Sequence, residues 1–188
     1  MSYQKTIELY QADTENEKLE KKIILDYIKL LDKKALDRES MLAHITSTAM
    51  VFNEAKDKIL MIHHNIFDTW ACVGGHADGN PDLLAVAFQE LAEETGITKA
   101  TAIANEPLSL DILQVHSHLK RGSYVPNHLH LNVTFALETS QSNPYRIKED
   151  ENSGVMWIPI PKIEEFTKEK EFIEVYHKII KKVSDIYR

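Results

Sequence analysis

The sequence predicts an α/β protein: an α/β/α sandwich around a mixed β-sheet, with an N-terminal helical extension. Three observations predict it. Strand-length apolar segments fill the middle of the chain. Among them lies one helix, between Gly75 and Gly96, that is apolar nearly all round through Leu83, Leu84, Ala85, Val86, Ala87, Phe88, Leu91 and Ala92. A strongly amphipathic helix, carrying Phe172, Val175, Tyr176, Ile179, Ile180, Val183 and Tyr187, closes the chain. Strands around a central helix, with a second helix on the other side, give the sandwich.

The elements follow in order. Leu19, Ile23, Tyr27, Leu30 and Leu31 recur at helical spacing among charged residues, predicting a helix over about residues 15–35, with a second short helix starting near Asp37. Residues 1–44 therefore read as a helical extension, packed either on the domain of residues 45–188 or on a second copy in a homodimer. From Ile45 the texture changes to strands over 45–52, 58–63 and 69–73, the first two joined by a loop at Asn53–Asp57. Asn80 is the candidate N-cap of the central helix, with Pro81 at its first position, and Gly96 suits the left-handed residue that ends it. Further strands are predicted over 101–115 and 128–138, and a short one at Trp157–Ile160.

Bulk properties narrow the function. The 188 residues fit one domain with a sizeable core plus peripheral helices. A net charge of −7 argues against nucleic acid and anionic membranes as partners, yet leaves a phosphorylated small molecule open, because a bound metal reverses the local sign. There is no signal-peptide pattern and no run of membrane-spanning length, and the single cysteine, Cys72, permits no intrachain disulfide. The expectation is a cytoplasmic protein.

The chemistry concentrates at Glu90, Glu93 and Glu94. At i, i+3 and i+4 these carboxylates share one arc of the helix, where like charges repel unless a cation sits among them. On a helix apolar elsewhere, a hard divalent cation with oxygen ligands is the natural partner. The Gly74-Gly75 pair lies just upstream, and Gly75 offers a backbone carbonyl as a further ligand.

Starting at Gly75, this stretch resembles the Nudix box, G-x₅-E-x₇-R-E-U-x-E-E-x-G-U with U a bulky apolar residue. Gly75, Glu90, Leu91, Glu93, Glu94, Gly96 and Ile97 match. Pro81 stands at the pattern's first Glu and Gln89 at its Arg, and Asp78, Asn80 and Asp82 are the nearest stand-ins for the missing carboxylate. The resemblance implies a Nudix-like fold and a Mg²⁺- or Mn²⁺-dependent pyrophosphatase cleaving a phosphoanhydride in a nucleoside diphosphate derivative or related organic pyrophosphate. It implies Glu90, Glu93, Glu94 and Gly75 as metal ligands, with Glu93 alternatively holding the attacking water. The acidic loop Glu149–Gly154, followed by Trp157 and Pro159, also resembles Nudix sequences, and Glu151 matches the loop glutamate that binds metal or acts as general base.

Nine histidines are many for this length. His116 and His118 are expected on one strand face, and His128 and His130 on another, with Arg121 and Tyr124 in the loop between them. One reading is a substrate pocket, with Arg121 and a histidine on phosphate and Tyr124 stacked on a base or sugar; the other is a transition-metal site. His76, directly after the glycine pair, is a further candidate beside the metal. Two alternative functions stand against the hydrolase. One is a catalytically weak Nudix-fold module that senses a nucleotide, favoured by the missing Glu and Arg. The other is an enzyme like isopentenyl diphosphate isomerase, which shares the fold and whose metal-binding His would match His76; here Gly74 stands at its nucleophilic cysteine.

Overall fold

The computed structural model describes residues 2–120 and 122–188. Two helices lead, α1 (Tyr3–Leu9) and α2 (Glu15–Leu31), and a 3₁₀ turn at Asp32–Leu36 follows. Strands β1 (Ala43–Phe52), β2 (Lys58–His64), β3 (Thr69–Ala71) and β4 (Val73–His76) precede helix α3 (Leu83–Thr95). Then come β5 (Thr101–Ala102), β6 (Ser109–Val115), β7 (His118–Lys120), β8 (Ser123–Val125), β9 (His128–Glu138) and β10 (Asn152–Pro159). A short α4 (Ile163–Phe166) and a long α5 (Lys170–Ile186) end the chain.

The sheet is mixed, as predicted. Its strands run in the order β10-β2-β1-β9-β5; β1 and β9 are parallel, and every other pairing is antiparallel. β1 is the axis of the fold because it has partners on both sides: β9 along its whole length on one, β4 and then β2 on the other. Its side chains alternate. Ala43, Ile45, Ala49 and Val51 join an apolar cluster with Leu83, Ala87 and Leu91 of α3 and Ile24 and Ile28 of α2. Met50 and Phe52 face the other way, into a cluster with Tyr176, Ile179 and Val183 of α5. Helices therefore cover both faces.

Several local expectations needed correction. The central helix starts two residues later than Asn80 and Pro81 suggest: Asp82 is the N-cap and accepts the Ala85 N–H at 3.1 Å, while Asn80 accepts the Asp82 N–H at 3.0 Å. Both residues are good caps, and Asp82 is the one whose side chain reaches the helix's own orphan donors. Gly96 does close the helix in the left-handed conformation, at φ 76°. No helix starts at Asp37; the 3₁₀ turn ends there instead, after Asp32 breaks α2 at φ 47°.

Helix α2 is also rolled relative to the predicted stripe. Ile24 and Ile28 are its fully buried residues, while Leu19, Ile23 and Leu30 are 57%, 45% and 82% exposed. Two long-range anchors set the roll. The Tyr27 hydroxyl donates to the Ala43 carbonyl at 2.7 Å, and Glu17, in the first turn, is buried against residues of α5. That buried carboxylate accepts hydrogen bonds from the Tyr10 hydroxyl, from the N–H groups of Asp13 and Thr14 at 2.9 Å each, and from Lys182 Nζ at 3.1 Å. Lys178, one turn earlier, reaches Asp111 of β6 at 2.6 Å. The amino-terminal segment is thus tied to the carboxy-terminal helix around the β6 end of the sheet. The strand expected over 101–115 splits into β5 and β6.

Candidate metal centre

The α3 spacing does what the sequence promised at Glu90, Glu93 and Glu94: the carboxylates lie on one face of one helix, and the sheet supplies what they face. β4 hydrogen-bonds to β1 beside α3, with Gly74 opposite Thr48 and Gly75 opposite Ser47. Close approach explains the glycine at position 75. A Cβ there would fall inside the Glu90 carboxyl group, so the bare backbone is what lets Glu90 lie against the strand. Glu94 is 4% exposed and accepts the Gly74 N–H at 3.3 Å. The turn before β10 closes the site. Asn152 Nδ2 donates to the Glu94 carbonyl at 3.0 Å, and Lys148 Nζ reaches Glu151 at 3.0 Å and Glu93 at 3.6 Å. Glu151, five strands and a long loop from the helix in sequence, thereby joins the other three glutamates.

The electrostatics split the four carboxylates into two pairs. Lys148 compensates Glu93 and Glu151 at the mouth. Glu90 and Glu94, deeper, make no direct ion pair among the described residues and feel Lys148 only at longer range. Burial first, then Glu93 and Glu151, push Glu90 up to about 7; burial first, then Glu90 and Glu151, push Glu94 up to about 8. One buried and one half-buried carboxyl facing each other and a glycine backbone, with no lysine or arginine in direct ion-pair contact among the described residues, are the donor set a hard divalent cation takes. The residues present fit Mg²⁺ or Mn²⁺.

A pH-dependence follows for the metal-free protein. Carboxyls raised to about 7 and 8 keep protons in the folded state that the unfolded chain, at its ordinary 4.5, has already released. Stability is therefore fullest below about pH 4.5 from these two groups and declines as pH rises through 7 and 8. A divalent cation would take this pair deprotonated, so stabilisation by Mg²⁺ should be several-fold larger at about pH 8.5 than at about pH 5.5. Thermal melts with EDTA and with Mg²⁺ at the two pH values measure this; an equal shift at both would contradict it.

The two departures from the box have structural answers. Gln89 donates from Nε2 to Glu93 Oε1 at 2.8 Å, so the amide orients a glutamate as the pattern's arginine would, without its charge. None of the nearest stand-ins for the missing Glu is available to the site. Asp78 is paired with Arg38, Asp82 caps α3, and Asn80 forms its own turn.

The remaining predicted residues fall elsewhere. Tyr124 lies on β8, in a two-stranded hairpin with β7, and is 70% exposed. Arg121 lies outside the described residues. His116 is not on a strand, since β6 ends at Val115, and it shares no face with His118 on β7. His76, His128 and His130 come together, but around a residue that sequence reasoning passed over, His44 of β1. Its ring centroid lies 4.9 Å from that of His76, 5.0 Å from His128 and 5.1 Å from His130. Lys148 was likewise missed. Nothing local marks either residue, because each is recruited by pairing between distant segments.

Comparison with known proteins agrees with this geometry. The family model for the NUDIX domain matches residues 43–181. Among solved structures, a C. elegans Ap4A hydrolase shares the fold at TM-score 0.53 and 14% identity, covering 76% of this chain and 96% of its own. The E. coli dihydroneopterin triphosphate pyrophosphohydrolase does so at TM-score 0.55 and 15% identity, over 75% and 95%. The NUDIX domain of Shewanella oneidensis NrtR, solved with ADP ribose, superposes at TM-score 0.54 and 18% identity, over 84% and 97%. No curated protein matches the sequence significantly. The chain belongs to the Nudix family.

Proposed function

We propose that this protein is a divalent-metal-dependent hydrolase of a small phosphoanhydride, a nucleoside diphosphate derivative or related organic pyrophosphate. The observation that carries the reading is the cluster of Glu90, Glu93, Glu94 and Glu151 against Gly75, with the carboxyls of its two deepest members raised by burial and by their neighbours. Mg²⁺ or Mn²⁺, when bound, supplies charge neutralisation for the phosphates and lowers the pKa of a coordinated water. The protein's own residues do the rest. Glu90 and Glu94, with the Gly75 carbonyl, would hold the cation. Glu93, positioned by Gln89, and Glu151, positioned by Lys148, stand at the mouth, where either takes the proton of the attacking water. Lys148, 3.0 Å from Glu151 and 3.6 Å from Glu93, is the cation at the mouth that would face an anionic substrate.

On this reading residues 1–44 are an extension built onto the hydrolase domain of residues 45–188, and the substrate is a small molecule met in the cytoplasm rather than nucleic acid or a membrane. Among the described residues no helix is long and apolar enough to cross a membrane. The isomerase alternative loses support at Gly74. A Cβ there would meet Thr48 Oγ1 at 2.7 Å and the Ser47 carbonyl at 2.9 Å, leaving no room for the nucleophilic cysteine. Cys72 does not replace it: burial pushes its thiol up to about 12.

A screen of nucleotide sugars, dinucleoside polyphosphates and nucleoside triphosphates with Mg²⁺ or Mn²⁺, read as released phosphate or nucleoside monophosphate, tests the proposal. Metal-dependent turnover on at least one class is expected. Nucleotide binding without turnover on any of them would overturn it in favour of a sensor module.

A further inference from the structure

Beyond the glutamate centre, the geometry points to a second metal site: we propose that His44, His76 and His130 bind a borderline transition-metal ion of the Zn²⁺ class. The sheet register builds it. His44 of β1 pairs directly with His130 of β9, and His76 of β4 pairs with Thr46, two residues further along β1. Strand alternation puts all three on the same face, because His44 and Thr46 share a parity on β1. Gly75, the residue before His76, faces Glu90 on the other side. The two centres are therefore separate.

Three features mark the cluster as a ligand set. One ring nitrogen from each of the three histidines lies within 4.8 Å of the other two, so a point about 2.8 Å or less from all three exists, and small ring rotations bring it to the roughly 2.0–2.1 Å of a Zn–N bond. His44 is 4% exposed, and its Nε2 is buried without a hydrogen-bond partner among the described residues, a costly state for a polar atom. Its other nitrogen, Nδ1, is 3.2 Å from the Ser40 carbonyl, the backbone contact that fixes the tautomer with a lone pair on Nε2. An unpartnered lone pair directed among imidazoles needs a cation.

His128 enlarges the site. Its Nδ1 is 2.9 Å from the Pro126 carbonyl, and its Nε2 lies 3.2 Å from His130 Nε2, close to the edge of about 3.3 Å separating two nitrogens of a tetrahedral zinc site. It stacks on His44 and hydrogen-bonds His130, at the border of the three-histidine set. Imidazole nitrogens without carboxylate favour Zn²⁺, Co²⁺ or Ni²⁺ over Mg²⁺. Asp78, the nearest acid acting on His44 and His76, is held by Arg38. The histidines expected to touch substrate are read here as ligands.

The test is metal binding to chelator-stripped protein, with no dependence on hydrolysis, so its outcome is independent of whether any phosphoanhydride is cleaved. Co²⁺ titration should give one equivalent with the intense visible absorption of a low-coordinate nitrogen site, displaced by Zn²⁺ but not by excess Mg²⁺. His44→Ala and His130→Gln should each weaken Co²⁺ and Zn²⁺ binding by about 10²-fold or more. His177→Ala, on the exposed face of α5, and the double variant Glu90→Gln/Glu94→Gln should leave it unchanged. Circular dichroism checks folding; if His44→Ala fails to fold, His76→Gln and His130→Gln, both half-buried, carry the test. Retained binding in folded histidine variants, or loss of the Co²⁺ spectrum in the glutamate double variant alone, would overturn the assignment.

Discussion

Replacing Glu94 by Gln should leave the protein folded and lower hydrolysis by at least about 10²-fold, the scale of losing a metal ligand or catalytic base. Glu94 is buried, accepts the Gly74 N–H, and has its carboxyl raised to about 8 by burial and by Glu90. An amide keeps the shape and the hydrogen bond to Gly74 but removes the charge that the cation needs. The same charge is a liability without metal. In EDTA at about pH 8.5 the variant should therefore melt no lower than the parent, and Mg²⁺ should raise its melting temperature far less. Glu93→Gln should lose activity on a similar scale through a different cause, since Glu93 stays at the mouth between Gln89 and Lys148. Parental turnover in both variants on a verified substrate would remove the glutamates from the mechanism.

Glu17→Gln should destabilise the protein by about 2–4 kcal/mol without touching the metal-dependent chemistry. Glu17 is 3% exposed and surrounded by donors only: the Tyr10 hydroxyl and Lys182 on one oxygen, the Asp13 and Thr14 N–H groups on the other. Whichever way an amide is turned, its NH₂ meets donors. Burial alone would raise this carboxyl, but the hydrogen bonds of Tyr10 and Lys182, with the two backbone N–H groups, override it and hold it at about 2. The contribution is then complete above the unfolded value of 4.5 and is lost as pH falls toward 2, opposite in sense to that of Glu90 and Glu94. Urea unfolding of parent and variant at about pH 7 and about pH 3 measures both claims. A difference that persists undiminished at about pH 3 would mean the charge on Glu17 is not its source.

The parts of this protein legible in its sequence are those governed by neighbours a few residues apart. Glu90, Glu93 and Glu94 share a face because the helix period requires it, Gly96 ends that helix because its φ of 76° suits residues without a Cβ, and the run from Ile45 to Phe52 marks a strand. Glu151 is marked instead by the resemblance of its acidic loop, followed by Trp157 and Pro159, to Nudix sequences. Where two local signals compete, sequence alone chooses badly: Asn80 and Asp82 are both good caps, and only the packed turn shows that Asp82 takes the helix donor.

Tertiary structure alone decided the rest, for one physical reason: sheet pairing and helix roll are set by contacts between segments far apart in the chain. The roll of α2 depends on Tyr27 reaching Ala43 and on Glu17 reaching Lys182, so Ile24 and Ile28 are buried and Leu19, Ile23 and Leu30 are left outside. Lys148 joins Glu93 to Glu151 only because the turn before β10 folds over α3. His44, unremarkable in its own neighbourhood, becomes the centre of four histidines because the parallel register of β1 and β9 sets it opposite His130. A shift of that register by one residue would turn the two rings to opposite faces of the sheet, which no reading of either strand by itself determines.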